Sequence, residues 1–193
     1  FLFFKLMQQI ILASQSPRRK QLLEWAEIDF TVRVSNADES FPEGLSFTEA
    51  AIHIARNKAT TIATDAFAGS IIIAADTIVV HNSRILGKPC DVEEAKEFLG
   101  LLSGNSHEVI TAVVIIKDEK EIAFADSTKV EFHALTSDQI NFYAEKYKPL
   151  DKAGAYAIQE WIGVVGIKSI EGDFYNVMGL PVSRVVQALN KLR

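Results

Sequence analysis

The run SIIIAADTIVV, residues 70–80, limits the possible folds more than any other segment of the chain. Only Ser70, Asp76 and Thr77 have polar side chains in it, so it predicts a buried strand at 71–80. A carboxylate in such a strand costs several kcal/mol, since even a neutral polar group costs about 2–7 kcal/mol unless it is paired or metal-bound. The position of Asp76 therefore needs a specific explanation.

The remaining chain alternates between strand and helix patterns. Further strands are predicted at 9–14, 29–35, 107–116 and 121–135, with a hairpin turn at KDEK and a loop at 36–45. Helices are predicted after Ser16, from the capping box of Ser46 and Glu49 to about Phe67, at 91–104, and at 137–147 with Ser137 as its cap. The segment 179–192 is predicted to begin with a turn and to close with an amphipathic helix. This mixture indicates an α/β or α+β fold.

Composition excludes several classes of function. The hydrophobic fraction of 48% is enough for a sizeable core, and Cys90 is the only cysteine, so neither an intramolecular disulfide nor a cysteine-rich zinc site is possible. A reducing compartment such as the cytoplasm fits this cysteine content best. The net charge of −5 argues against binding to a nucleic-acid polymer, which favours a basic surface. Any anion site should then be small and local.

The first residues, FLFFKLMQQI, are apolar, but Lys5 and two glutamines interrupt the run, which is too short to span a bilayer. We expect neither a membrane segment nor a signal peptide, because there is no basic leader and no small-residue cleavage site. Met7 is interpreted as the natural start, with residues 1–6 as an upstream extension. The predicted organisation is an N-terminal extension at 1–8 and a single domain at 9–193.

Asp76 and the pair Arg18 and Arg19 each allow two interpretations. Asp76 is either a hydrogen-bonded structural residue at a strand end or a metal ligand or general base in a cleft. Arg18 and Arg19 fall in the first turn of a helix, where the helix dipole disfavours cations but anions bind readily. With the nearby hydroxyls of Ser14 and Ser16 they either hold a phosphate or form a solvated surface pair.

Three further charged residues are equally ambiguous. Lys58 falls beside the apolar stripe of the predicted helix from Ser46, so it either extends along the edge or directs its ammonium at a buried anion. Lys88 stands in GKP, which is not a Walker A loop, yet it can contribute a point charge to a phosphate. Glu39 is either a solvated loop acid or a carboxylate for Mg²⁺. Together, four cations and two carboxylates suit a polyphosphate bound with Mg²⁺.

Six strings, in order, resemble the Maf family over nearly the whole chain. They are LASQSPRRKQLL (12–23), ADTIVV (75–80), GKP (87–89), LSGNSHEVITAV (102–113), DKAGAYAIQ (151–159) and GDFYNVMGLP (172–181). The resemblance implies an α/β fold similar to that of the inosine triphosphate pyrophosphatases, with an elongated mixed sheet flanked by helices and two lobes around a central cleft. It also implies a nucleoside triphosphate pyrophosphatase that uses a divalent cation, Mg²⁺ or Mn²⁺, and a link with septum formation.

The resemblance further assigns roles to single residues. Asp76 corresponds to the proton acceptor, and Glu39 and Asp76 correspond to the metal ligands. The phosphate contacts correspond to Ser14, Arg18, Arg19, Lys58 and Lys88. Asp173 departs from the family pattern, in which Ser is frequent at this position.

Selectivity for the base is implied by Arg18, Thr77 and Gln159, a combination that resembles the subgroup acting on dTTP and UTP, with modified pyrimidine nucleotides as further substrates. The amide of Gln159 offers a donor and an acceptor, which suits a pyrimidine imide edge. The alternatives are a pyrophosphatase for 7-methyl-GTP or other modified nucleotides, and a nucleotide-binding regulator of septum formation. A homodimer is the family expectation for assembly.

Overall fold

The computed structural model describes residues 9–66 and 68–192. The expected extension at residues 1–8 and the proposed start at Met7 lie outside the described residues. Within them the strands are β1 (Ile10–Leu12), β2 (Thr31–Val32), β3 (Ile71–His81), β4 (Arg84–Leu86), β5 (Ser106–Lys117), β6 (Lys120–Phe132) and β7 (Ile167–Glu171). The α-helices are α1 (Pro17–Trp25), α2 (Phe47–Ala63), α3 (Val92–Leu102), α4 (Ser137–Tyr147), α5 (Trp161–Gly166), α6 (Phe174–Met178) and α7 (Val182–Lys191), with a 3₁₀ turn at Ala153–Ala155.

The strands form one mixed sheet in the order β2-β1-β3-β5-β6-β7, and β4 pairs with β3 outside this path. β1 runs parallel to both β2 and β3, with Ile11 opposite Ile72, whereas β4 and β7 pair antiparallel with β3 and β6. The predicted KDEK hairpin is confirmed, because β5 ends at Lys117 and β6 begins at Lys120. A mixed sheet with interspersed helices confirms the expected α/β fold.

The chain divides into two compact units, and β3, β5 and β6 each contribute residues to both. The first unit comprises the described residues up to Asp76, Ala112–Phe124 and the described residues from Val182. In its core lie β1 and the first half of β3, where Ile11, Leu12 and Ile73 are fully buried. This burial agrees with the continuous apolar pattern of 71–80, which predicted a strand covered on both faces.

Helix α2 belongs to this first unit and begins where the sequence predicts. The hydroxyl of Ser46 accepts from the Glu49 backbone, and the Glu49 carboxylate accepts from the Ser46 backbone, which completes the capping box. The helix ends at Ala63, earlier than the predicted end near Phe67. The Thr64 hydroxyl donates to the Thr61 carbonyl at this end, a local bond of the kind that competes with helix continuation.

The second unit comprises Thr77–Thr111 and Ala125–Pro181. Helices α3 and α4 pack together in it, and the fully buried Tyr143 and Phe132 are among its largest core side chains. The cap of α4 is Thr136 and not the predicted Ser137, because the Thr136 hydroxyl accepts from the Gln139 backbone while the Gln139 side chain accepts from Thr136. The two units agree with the expected two lobes, and the cleft stays a prediction.

Among the residues that the structure describes, no helix combines the length and the apolar character that a bilayer crossing requires.

Candidate active site

Asp76 lies in the middle of β3, five residues from either end of the strand, and is only 9% exposed. Its Oδ1 atom is 2.7 Å from the Nζ atom of Lys58 in α2. Both side chains are largely buried, at 13% and 12% exposure. Asp76 therefore lies within the strand and not at its end, and Lys58 directs its ammonium at a buried carboxylate. The role of Asp76 as general base or metal ligand stays a prediction. A buried charge is tolerated when it is paired in this way.

Glu39 joins the same ammonium from the loop before α2. Its Oε1 atom is 2.8 Å from Lys58 Nζ, although its side chain is 55% exposed. Two carboxylates, one on a buried strand and one on an exposed loop, therefore converge on one cation. The loop position explains why sequence alone could not choose between a solvated acid and a site residue.

The N-terminus of α1 supplies a second group of polar atoms in the first unit. Ser16 caps the helix and Pro17 occupies its first turn, as predicted. The backbone N–H of Ser16 and the guanidinium Nη1 of Arg19 both donate to Ser14 Oγ, each at 3.2 Å. Ser14 is 8% exposed, so its hydroxyl orients Arg19 from a buried position. Arg18 is half-buried on the same first turn.

The electrostatics connect Arg19 with the two carboxylates. Burial lowers the pKa of the Arg19 guanidinium below its ordinary value, Asp76 and Glu39 oppose this decrease, and Arg18 adds to it. Asp76 and Glu39 therefore lie within electrostatic range of Arg19. The structure thus brings cations and carboxylates together in the first unit, namely Arg18, Arg19, Glu39, Lys58 and Asp76, with the hydroxyl of Ser14 beside Arg19.

The other predicted site residues lie in the second unit, on three separate segments. Thr77 follows Asp76 in β3, is half-buried, and its hydroxyl is 2.9 Å from that of Thr111. Lys88 is exposed in the connection between β4 and α3, and Gln159 is exposed in a turn before α5.

Two polar residues of the second unit escaped the sequence analysis. Thr111 is fully buried in β5, and Asn176 is fully buried in α6. Thr111 interrupts the apolar run VITAVVII, residues 109–116, in the same way that Asp76 interrupts its strand. The criterion that identified Asp76 would therefore have identified Thr111 as well.

Asp76 and Glu39 offer carboxylate oxygens, the ligand type that hard divalent cations prefer, and one oxygen of each lies within 2.8 Å of Lys58 Nζ. Within residues 9–66 and 68–192, no group of three or more His, Cys, Asp or Glu side chains is placed to hold a metal. Mg²⁺ commonly binds through one or two carboxylates and completes its coordination with water and substrate phosphates. Asp76 and Glu39 are a pair of carboxylates that could bind Mg²⁺ in this way.

Asp173, which departs from the family pattern, has a structural role. Its carboxylate accepts from the Tyr175 backbone N–H at 2.8 Å and caps α6. Ser and Asp are both strong N-cap residues, so either residue type can occupy this position.

Comparison with known proteins supports one family. The model of the Maf-like protein family matches residues 9–192. A dTTP/UTP pyrophosphatase of Cytophaga hutchinsonii is 54% identical over 95% of this chain and 84% of that protein. Proteins of the same name from Bacteroides thetaiotaomicron and Bacillus mycoides are 46% and 45% identical, over 95% and 96% of this chain and 96% of each protein.

A solved structure shares the fold. The Ham1 protein of Staphylococcus aureus superposes with a TM-score of 0.53 over 95% of this chain and 98% of that chain, at 16% sequence identity. At this identity the likeness concerns the fold alone. The family match and the relatives that align over most of their length show that the chain belongs to the Maf-like protein family.

Proposed function

We propose that this chain is a nucleoside triphosphate pyrophosphatase that hydrolyses dTTP and UTP to the monophosphate and pyrophosphate. The observation that supports this most is the buried Asp76–Lys58 pair. Glu39 contacts the same lysine, and both carboxylates interact electrostatically with Arg19. This arrangement provides a fixed carboxylate for water and cations for phosphate oxygens. The substrate assignment is supported by the names of the similar proteins.

In the proposed reaction, a water oxygen forms a bond to the α-phosphorus, and the bond from the α-phosphorus to the α–β bridging oxygen breaks. Asp76 accepts the proton that the water loses, and pyrophosphate leaves with the bridging oxygen. The hydrogen bond from Lys58 Nζ to Asp76 Oδ1 holds the carboxylate in position on a buried strand. A base fixed in this way is oriented before the substrate arrives, which reduces the cost of reaching the reactive geometry.

The cations bind the phosphate groups in this proposal. Arg19, oriented by Ser14, and Arg18 offer planar guanidinium groups at the N-terminus of α1, which itself favours an anion. Lys58 and Lys88 contribute point charges. Asp76 and Glu39 would hold Mg²⁺ or Mn²⁺, which when bound supplies charge neutralisation at the phosphate oxygens.

Selectivity for the base is proposed to involve Arg18, Thr77 and Gln159. The exposed amide of Gln159 can both donate to and accept from the imide edge of uracil or thymine. The hydroxyl of Thr77, 2.9 Å from that of Thr111, adds a second polar group.

The test is pyrophosphate release with Mg²⁺ from dTTP, UTP, CTP, dATP, GTP and 7-methyl-GTP, with the products separated to distinguish pyrophosphate from phosphate. The proposal expects fast release of pyrophosphate from dTTP and UTP. Preference for another base would refute the selectivity assignment, and failure to release pyrophosphate from any triphosphate would refute the activity.

Three broader expectations accompany the proposal. We expect a cytoplasmic location, a homodimer and a link with septum formation. Cell fractionation, analytical ultracentrifugation and measurement of cell length on overproduction test them in that order. A monomer at all concentrations, for example, would refute the homodimer without affecting the proposed reaction.

A further inference from the structure

Thr77 differs from every other residue of β3. It is half-buried, whereas the other ten residues of the strand are buried. The Thr77 side chain is therefore the one on β3 that keeps partial access to solvent.

The hydroxyl of Thr77 is hydrogen-bonded to the hydroxyl of Thr111, which is itself hydrogen-bonded to the backbone of Asn176. Thr111 Oγ1 lies 2.9 Å from Thr77 Oγ1 and donates at 2.9 Å to the backbone oxygen of Asn176. A carbonyl oxygen can only accept, so the single hydroxyl hydrogen of Thr111 points at Asn176. Toward Thr77, Thr111 can then only accept. Thr77 must donate its own hydrogen to Thr111, and its oxygen presents only lone pairs to any other group.

Asn176, whose backbone oxygen is the last acceptor in this series of hydrogen bonds, is fixed by further hydrogen bonds of its side chain. The fully buried Asn176 donates from its side-chain amide to the Val109 carbonyl at 2.9 Å and to Thr128 Oγ1 at 3.0 Å. The bond to Val109 settles the orientation of the amide, because a carbonyl cannot donate. Thr128 Oγ1 also donates to the Asp173 carbonyl and accepts from the Asp173 backbone. The Thr128 hydroxyl therefore uses its one donor and both its acceptor sites.

Gly172 packs closely against Thr128, the residue that holds the Asn176 side chain. A Cβ atom at Gly172 would lie 2.8 Å from Thr128 Oγ1 and 3.1 Å from Thr128 Cα. The backbone at Gly172 is also in the left-handed region, with a φ of 129°. Only glycine fits here without displacing the hydroxyl that anchors Asn176. The direction of the Thr111 hydroxyl is thus built into the fold of this unit.

We propose that Thr111 determines base selectivity by fixing the Thr77 hydroxyl as an acceptor for an N–H group of the nucleobase. The inference rests on the proposed function, in which Thr77 contacts the base. Uracil and thymine have a hydrogen on N3, which can donate to Thr77. Cytosine has an unprotonated N3, whose lone pair would face those of Thr77. A site built around one hydrogen-bond direction rejects an analogue of opposite direction, because buried polar groups are left unpaired.

The first experiment compares kcat/KM for UTP and CTP in the wild type, Thr111→Val and Thr111→Ser. Valine has nearly the shape of threonine but no hydroxyl, so the Thr77 hydrogen becomes available to cytosine N3. We expect the CTP-to-UTP ratio of kcat/KM to rise about tenfold in Thr111→Val. Thr111→Ser retains the hydroxyl and should keep the ratio of the wild type. An unchanged ratio in a Thr111→Val protein with a native circular dichroism spectrum would overturn the proposal.

A double-mutant cycle shows whether Thr111 acts through Thr77. In a Thr77→Val background, Thr111→Val should change the ratio less than about twofold, because no hydroxyl remains to redirect. A merely structural role of Thr111 would instead produce the same change in both backgrounds, which would contradict the proposal.

A third measurement needs no variant at all, so it remains decisive if Thr111→Val does not fold. The wild type should bind a non-hydrolysable UTP analogue at least about tenfold more tightly than its N3-methyl derivative and than the CTP analogue, by calorimetry. Equal affinities, or no binding of any of the three, would overturn the inference. Because binding does not require turnover, a protein that binds with this selectivity but releases no pyrophosphate would refute the proposed function alone.

Discussion

Replacement of Lys58 by methionine should destabilise the protein because it leaves a buried carboxylate without its partner. Lys58 Nζ is 2.7 Å from Asp76 Oδ1, and the two side chains are 12% and 13% exposed. Methionine keeps most of the aliphatic volume of lysine in α2, so the change removes the charge with little loss of packing.

The size of the effect follows from the geometry. At an effective dielectric constant of about 20, two unit charges about 2.7 Å apart attract by about 6 kcal/mol before desolvation is considered. Removal of one partner from a buried pair typically costs about 3–5 kcal/mol. Arg19 still attracts the Asp76 carboxylate, so we expect the lower end, about 3 kcal/mol. The exposed Glu39 should contribute less than about 1 kcal/mol.

The assay is urea unfolding of the two proteins, followed by circular dichroism, with the free energy of unfolding extrapolated to water. Lys96→Met is the matched control. Lys96 also pairs with two carboxylates, but its partners Glu93 and Glu145 are 80% and 65% exposed. This control should lose less than about 1 kcal/mol, because exposed ion pairs contribute little.

A second variant identifies the cause of the loss. Lys58→Met combined with Asp76→Asn removes the unpaired charge, so the double variant should be more stable than Lys58→Met alone. If Lys58→Met lost no more stability than Lys96→Met, or if the double variant were the least stable of all, the argument from an uncompensated buried charge would be refuted.

Three other substitutions test separate parts of the account. Gly163→Ala should cost at least about 2 kcal/mol of unfolding free energy, since its Cβ would lie 1.7 Å from the Ile158 carbonyl oxygen, and a loss below about 0.5 kcal/mol in urea unfolding would contradict this contact. Asp173→Ser should change the unfolding free energy by less than about 0.5 kcal/mol, because serine also caps a helix, and a larger loss would mean that the carboxylate has another role. Gln159→Glu should lower UTP turnover relative to GTP in the pyrophosphate assay, since it loses the amide donor, and an unaltered profile would remove Gln159 from the selectivity argument.

The sequence predicted most of the regular structure because the local signals were strong. The apolar run at 71–80, the capping box at Ser46 and the Pro17 start of α1 all describe interactions within a few residues. The short helices α5 and α6 were not predicted, because segments of six and five residues carry too little periodicity to be recognised. Strand β2 spans two exposed residues, so the seven-residue alternation at 29–35 overstated its length.

For the candidate site, too, the sequence predicted what depends on neighbouring residues and missed what depends on the fold. A polar residue in an apolar strand is visible in the sequence, and it identified Asp76. The pairing of Asp76 with Lys58 spans 18 positions of the chain and depends on how α2 packs on the sheet, so the sequence left the direction of Lys58 open. The hydroxyl chain from Thr77 to Asn176 joins three segments and could not be read from any local pattern.

The most direct test of the central claim is the turnover number of Asp76→Asn with dTTP and Mg²⁺, measured as pyrophosphate release. The Asp76 carboxylate is proposed to accept the proton from water, and the amide of asparagine cannot take that role. We predict a loss of at least about 10²-fold in kcat, the lower range for removal of an acid–base group, in a protein that remains folded. A turnover within tenfold of the wild type would contradict the assignment of Asp76 as the general base.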